Sequence, residues 1–351
     1  MLYNSNIIVY FYLLEVNTEE PFMTRNMRQI VTVTAFMPDA PALEIILPWL
    51  YNLNEVIYMK KILCLTVAVI IALMCLGCAV HEQQGDVNVP KFEYESCPRI
   101  DGSTANIPLA VALVKLMTGC TEAEAEESID VSGTDPAYYA LDDGSADMLL
   151  VYHPAQTTID ELDVFNRFNT DIIGYDALVF MVNADNPVES LTADQIRGIY
   201  SGKITNWKEV GGNDAPIAAF QRPTLSGSQT MMLNLMMGDT KMAEADSEIV
   251  AETMSDIVEA VAAYDNTANA IGYSVFYYAS TMYAQPNLKF IAVDGVMPSN
   301  DTIKSNAYTY RSPFYAVTKK NAPAEIRATV EWLLTEQGQR FIEECGYVSA
   351  K

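Results

Sequence analysis

Histidine is nearly missing from this chain: His81 and His153 are the two present in 351 residues. That supply cannot build a His-rich metal site or a histidine proton relay of any size. Positive charge is scarce as well. Lys and Arg number 21 against 45 Asp and Glu, and the formal net charge of −24 works against a nucleic-acid partner and against attraction to anionic lipid. A bound anion remains compatible, because a closed site answers to local dipoles and one or two charges. Catalytic signatures are also lacking. Gly198-Ile199-Tyr200-Ser201-Gly202-Lys203-Ile204 has the wrong glycine spacing, and Ile after its Lys, for a nucleotide-binding P-loop. No Gly-x-Ser-x-Gly elbow accompanies His153, so a Ser-His-Asp triad is unsupported. The acidic stretches Glu122–Glu127 and Asp142-Asp143 read as solvated helix faces. No enzyme activity, cofactor or metal is expected.

Cysteine is sparse where a disulfide framework would need it. Cys64 and Cys75 fall in an apolar N-terminal run, and Cys78 follows it. Cys97, Cys120 and Cys345 remain, an odd number, so at most one disulfide forms among them, with Cys97–Cys120 conceivable.

Met59-Lys60-Lys61 is a short basic start, and Ile62 to Gly77 is uncharged and mainly apolar. That pairing reads as a secretory signal over 59–78, short for a spanning helix. Its end, Leu76-Gly77-Cys78, resembles the bacterial lipobox, whose cysteine is lipidated, although Cys75 stands where leucine is usual. A retained anchor or another cleavage point are the alternatives. Residues 1–58 precede the signal and hold scattered apolar runs, Ile7 to Leu14 and Ile45 to Leu50, without an obvious fold pattern. They read as a non-native upstream extension, with translation from Met59. Residues 79–92 are polar and read as a tether.

Beyond the tether, strand and helix patterns alternate. Helices are expected over Ile107–Met117, Ala137–Leu141, Leu191–Tyr200 with Thr192 as cap, Ile249–Tyr264, and as a pair from Pro323. Strands are expected over Ala146–Tyr152, Ile172–Val182 and Ala270–Tyr278. Alternation of this kind indicates an α/β fold with a mostly parallel sheet.

The most informative stretch is Gln221-Arg222-Pro223-Thr224-Leu225-Ser226-Gly227-Ser228-Gln229-Thr230. It links an apolar strand-like run, Ala215 to Phe220, to an apolar helix-like run, Met231 to Met237. A guanidinium donates in a bidentate fork. A helix start adds unpaired N–H groups and partial positive charge. Gly227 admits close approach, and Ser226 and Ser228 add neutral donors. Together these suit a tetrahedral oxyanion. Read alone, the serines are N-caps and Arg222 is a surface ion pair.

In combination with other segments, this loop resembles the phosphate-binding component of bacterial phosphate ABC transporters. The matching segments are Asn183-Ala184-Asp185-Asn186-Pro187, Leu191 to Ile196, Ile199 to Gly212, Arg222 to Ser228, Ala270-Ile271-Gly272-Tyr273 and Gln337-Gly338-Gln339. The resemblance covers about residues 97–349. It implies a two-lobe type II periplasmic-binding fold with hinge strands and a ligand cleft. Lobe 1 would be 93–174 plus 277–351 and lobe 2 would be 175–276, crossing near Tyr175–Ala177 and Tyr273–Val275. It also implies capture of inorganic phosphate outside the cytoplasm, delivery to membrane permease subunits, attachment to the membrane through lipidated Cys78, and a monomer.

Carried over by position, Ser103 and Thr104 would offer one helix start to the anion, and Ser132 and Thr134 a second. Arg222 would be the clamp, with Ser226, Gly227 and Ser228 as the third start. Phosphate-selective relatives carry an acidic residue after the strand running here from Asp147 to Val151, which accepts the ligand's proton and repels sulfate. Here Tyr152-His153-Pro154 stands in that place. Asp135, Tyr152 or His153 are the alternatives for an acceptor, and another oxyanion such as sulfate stays open, as does an anion-responsive sensor.

Overall fold

The computed structural model describes residues 8–15, 28–36, 43–50, 88–245, 247–263 and 269–351. The chain divides into two compact units, Met1–Asp86 and Val87–Lys351.

In the first unit, β1 (Ile8–Glu15), β2 (Arg28–Phe36) and β3 (Leu43–Leu50) form an antiparallel meander. This corrects the expectation of no fold pattern. The three segments are rich in Ile, Val, Thr, Tyr and Phe, the residues that suit a pleated surface. The secretory segment 59–78, Cys78 and tether residues 79–87 lie outside the described residues.

The second unit begins inside the expected tether. Val89 is buried, and the Phe92 N–H donates to Met117 O at 3.1 Å. These apolar residues dock on the helix Ile107–Thr118, so the tether is shorter than its polar beginning suggests.

The strands of this unit are β4 (Ile100–Gly102), β5 (Met148–Val151), β6 (Phe168–Asn183), β7 (Ser190–Leu191), β8 (Ala218–Ala219), β9 (Ala270–Val275), β10 (Leu288–Phe290), β11 (Ala292–Val293), β12 (Arg311–Lys319) and β13 (Val348–Ser349). One sheet runs in the order β4-β5-β12-β6-β9-β8, with β10 and β13 also on β6, and β7 pairs β11 separately. β6 is the spine. Its first part, Phe168–Ala177, pairs with β12, and Leu178–Val182 pairs with β9. From Ala177 to Asn183 every residue of β6 is buried, which is why this stretch reads as a continuous apolar run. At Gly174 a Cβ would stand 2.4 Å from the Phe314 ring and 2.6 Å from Val348 O, so only glycine lets β12 and β13 close on β6 there.

The expectation of a mostly parallel sheet is corrected. β4–β5 and β8–β9 are parallel, but β6 is antiparallel to β9, β10, β12 and β13. Strand–helix alternation gives the order of elements. It does not say from which end a distant strand re-enters the sheet.

Helices fall close to expectation. Ile107–Thr118 buries Leu109, Leu113, Val114 and Met117 and ends at Gly119 with φ 77°. Thr192 caps Ala193–Tyr200 in a capping box with Gln195. The helix expected from Ile249 begins at Met254, where Thr253 and Asp256 form a capping box. The C-terminal pair is Ala324–Leu333 and Glu336–Glu344. Among the described residues Cys97, Cys120 and Cys345 are free thiols. No described helix is long and apolar enough to cross a membrane.

Candidate functional site

Three loops leave the sheet and converge. β4 ends at Gly102, and the Ser103 N–H donates to Leu150 O at 3.0 Å, pinning the first loop to β5. In the second loop, Gly133 has φ 101°, a conformation that favours glycine, and its N–H donates to Gly102 O at 3.1 Å. The helix Thr134–Asp143 starts there. In the third, Ser226 caps the helix Gly227–Met231 by accepting the Gln229 N–H. The Arg222 N–H donates to Tyr273 Oη at 3.0 Å, and that hydroxyl donates to Gln229 Oε1. A tyrosine on β9 thus holds both ends of the Arg-to-Gln segment.

These loops wall a cavity of about 510 Å³. Ser103, Thr104, Ser132, Thr134, Tyr152, Arg222, Ser226, Gly227 and Ser228 all line it. Arg222 is 8% exposed. Its Nη1 donates to Ala251 O at 2.7 Å, and burial pulls its pKa down, though a guanidinium stays charged. Arg222 Nε, Thr134 Oγ1 and Ser228 Oγ are buried with no hydrogen-bond partner among the described residues. Buried donors without partners are costly, so these three are groups that a hydrogen-bond acceptor in the cavity would relieve.

Two sequence candidates are not brought to the cavity. Asp135 is fully buried, accepting the Ala155 N–H at 2.8 Å and the Thr158 hydroxyl at 2.5 Å. It follows Thr134 on the helix, and one residue is about 100° of rotation, which turns it from the cavity. His153 lies with Nδ1 2.9 Å from Pro154 O and its ring near Phe165 and Tyr315. Tyr152 lines the cavity, but its hydroxyl donates to Asp176 Oδ2 at 2.7 Å. Asp176 Oδ1 accepts the N–H groups of Ala177 and Tyr277 at 2.7 and 3.1 Å. Burial raises the Asp176 pKa to about 6, against the pull of these bonds.

A fourth wall was not anticipated. Glu252, Thr253, Met254 and Ser255, with Tyr278, also line the cavity. Among the described lining residues Glu252 is the one carboxylate. The capping box Thr253-x-x-Asp256 was the available signal, but it marks a helix start and not where that start points.

A family model described as the PBP superfamily domain matches residues 98–344. The phosphate-binding protein PstS of Borreliella burgdorferi is 27% identical over 186 residues, 51% of this chain and 65% of that protein. The PstS of Bacillus subtilis is 26% identical over 254 residues, 71% of this chain and 79% of its own length. The match thus spans just under two thirds of the first relative and more than three quarters of the second. The crystal structure of an ABC-type phosphate transport receptor from Vibrio cholerae has a TM-score of 0.54 at 26% identity, covering 72% of this chain and 99% of that one.

Proposed function

The chain belongs to the PBP superfamily, the periplasmic binding proteins, and on that premise we propose that it captures inorganic phosphate outside the cytoplasm and passes it to the permease of an ABC transporter. The observation that carries this is the buried Arg222, whose Nε has no partner among the described residues, on a cavity that three hydroxyl-bearing helix starts share. The relatives named for phosphate binding support the ligand. The chain performs no chemistry on the anion.

The ligand residues are assigned as Ser103, Thr104, Ser132, Thr134, Tyr152, Arg222, Ser226, Gly227 and Ser228. Lobe 1 is taken as 93–174 plus 277–351 and lobe 2 as 175–276. The division of β6 between β12 and β9 supports a crossing near Ala177, and hinge closure over the anion is the expected motion. Lipidation at Cys78 would hold the monomeric binding unit at the membrane beside the permease subunits. A second reading, capture of sulfate, draws on Tyr152-His153-Pro154 following β5, where no acid stands to repel a fully ionised anion.

The test is calorimetric titration of the full chain, stripped of anion, with phosphate and with sulfate. Saturable phosphate binding in the micromolar range or tighter, about −8 kcal/mol, is expected. Silence toward phosphate would remove the proposal.

A further inference from the structure

Asp101 is the middle residue of β4 and is 2% exposed. Its Oδ1 accepts the N–H groups of Gly102 at 2.6 Å and Ser132 at 2.9 Å. Its Oδ2 accepts the Ser132 hydroxyl at 2.5 Å. Ser132 lies on the cavity wall. A serine hydroxyl has one hydrogen and two lone pairs. Its hydrogen is spent on a carboxylate, in the stronger class of hydrogen bond. Turning it away would strand a buried carboxylate oxygen. What Ser132 offers the cavity is therefore a lone pair.

We infer that Asp101 fixes Ser132 as a hydrogen-bond acceptor, and that this pair makes the cavity select an oxyanion that carries a proton. The inference rests on the anion-capture reading and names its specificity device. The other wall groups, Arg222, Thr134 and Ser228, have donors to give, and donors suit any oxyanion. A fixed acceptor is different, and Ser132 is one on a wall that also holds the Glu252 carboxylate and the Tyr152 hydroxyl, whose hydrogen goes to Asp176. At pH 8 phosphate is mainly the hydrogen phosphate dianion, and sulfate is a dianion without a proton. The two match in charge and differ by one hydrogen. Hydrogen phosphate can donate to Ser132, whereas sulfate meets it lone pair to lone pair. Sites that require a hydrogen bond reject ligands unable to make it far better than sites that merely fit a shape. The role that Asp135 and His153 cannot fill from their positions falls to Ser132, three residues before Asp135 and on the cavity wall. Asp101 is a positioning residue and Ser132 is the group that meets the ligand.

The experiment titrates the full chain, stripped of anion, with sodium phosphate and sodium sulfate at pH 8. Wild type is expected to prefer phosphate by 100-fold or more, about two hydrogen-bonding decades. Ser132→Ala keeps the backbone contacts of Asp101 and removes the acceptor. Phosphate affinity should fall about 10-fold with sulfate unchanged or improved. Asp101→Asn places an amide N–H against Ser132 Oγ and releases the hydroxyl hydrogen toward the ligand. Sulfate binding should then rise and the preference narrow further. Both anions weakening in proportion in these variants would show a structural role only and overturn the inference. So would a preference that survives Ser132→Ala but collapses in Glu252→Gln. Wild type binding phosphate and sulfate alike would overturn the selectivity while leaving anion capture standing. Binding of neither would remove capture itself.

Discussion

Gly227 and Thr134 face each other across the candidate site so closely that a Cβ on the glycine would stand 2.7 Å from Thr134 Oγ1. The Tyr152 ring edge would lie 3.8 Å from the same point. Two helix starts, one from each of two loops far apart in sequence, therefore meet with no room for a methyl group. Thr134 is buried and β-branched, so its rotation away is restricted. Gly227→Ala should push the loops apart and weaken phosphate binding by about 10-fold or more, the scale of one lost charge-assisted hydrogen bond. The fold should persist, since the helix Gly227–Met231 tolerates alanine. Titration together with a thermal melt checks this. Wild-type affinity in the variant would mean that the anion does not sit between these loops.

Arg222 should dominate affinity. Arg222→Ala is expected to cost about 2–4 kcal/mol of phosphate binding, and Arg222→Lys should not restore it, because an ammonium cannot reproduce the planar fork. Thermal melts add a second measure. A ligand that binds only the folded state raises the melting temperature, so at a fixed phosphate concentration the rise should be much smaller for Arg222→Ala than for wild type. The anion-free variant should melt within a few degrees of wild type, because losing the Arg222–Ala251 bond is offset by removing a buried charge with no carboxylate bonded to it among the described residues.

What the sequence could say about this site was local, and what it could not say was directional. Hydroxyl–glycine–hydroxyl runs at Ser132–Thr134 and Ser226–Ser228 mark helix starts within a few residues, and those starts do share one cavity. Asp135 and His153 are each one residue from a lining side chain and still point elsewhere. A single step along a helix turns a side chain by about 100°, and along a strand it reverses the face. The Asp101–Ser132 contact joins residues from separate elements, and no spacing rule reaches that far. The antiparallel pairing of β12 with β6 escaped for the same reason, since partners so remote in the chain leave no local pattern.

Tyr273 ties the anion loop to β9, and its hydroxyl is 0% exposed along with the rest of the residue. Tyr273→Phe would leave the Arg222 N–H and Gln229 Oε1 without the partner they now have. A loss of about 1–3 kcal/mol in unfolding free energy is expected from those unsatisfied groups. Phosphate affinity should fall with it, because the Arg222 backbone is no longer pinned. Denaturant unfolding with and without phosphate separates the two effects. A stability loss with intact affinity would show that Pro223 and the cap at Ser226 suffice to hold the loop.

Asp176 predicts how stability depends on pH. Burial raises its pKa from 3.8 to about 6, and the hydroxyl of Tyr152 and nearby backbone N–H groups offset only part of that rise. Below about pH 3 the residue is protonated in both folded and unfolded chains, and the burial penalty on its charge is absent. As pH climbs, the unfolded carboxyl ionises freely while the folded one ionises only against desolvation. The folded state therefore loses about 2 kcal/mol between pH 4 and pH 6 from this group, and about 3 kcal/mol in all from pH 3 to pH 7, after which the loss is constant. Asp176→Asn removes the titration. Its amide oxygen can accept from Ala177 and Tyr277, and the Tyr152 hydroxyl can turn to accept from the amide nitrogen. Calorimetric melts should show the variant gaining on wild type as pH rises from about 3 to 7, most steeply between 4 and 6, then keeping a constant lead. A difference that does not vary with pH would show that Asp176 is already ionised at pH 4, and that the N–H groups around it outweigh its burial.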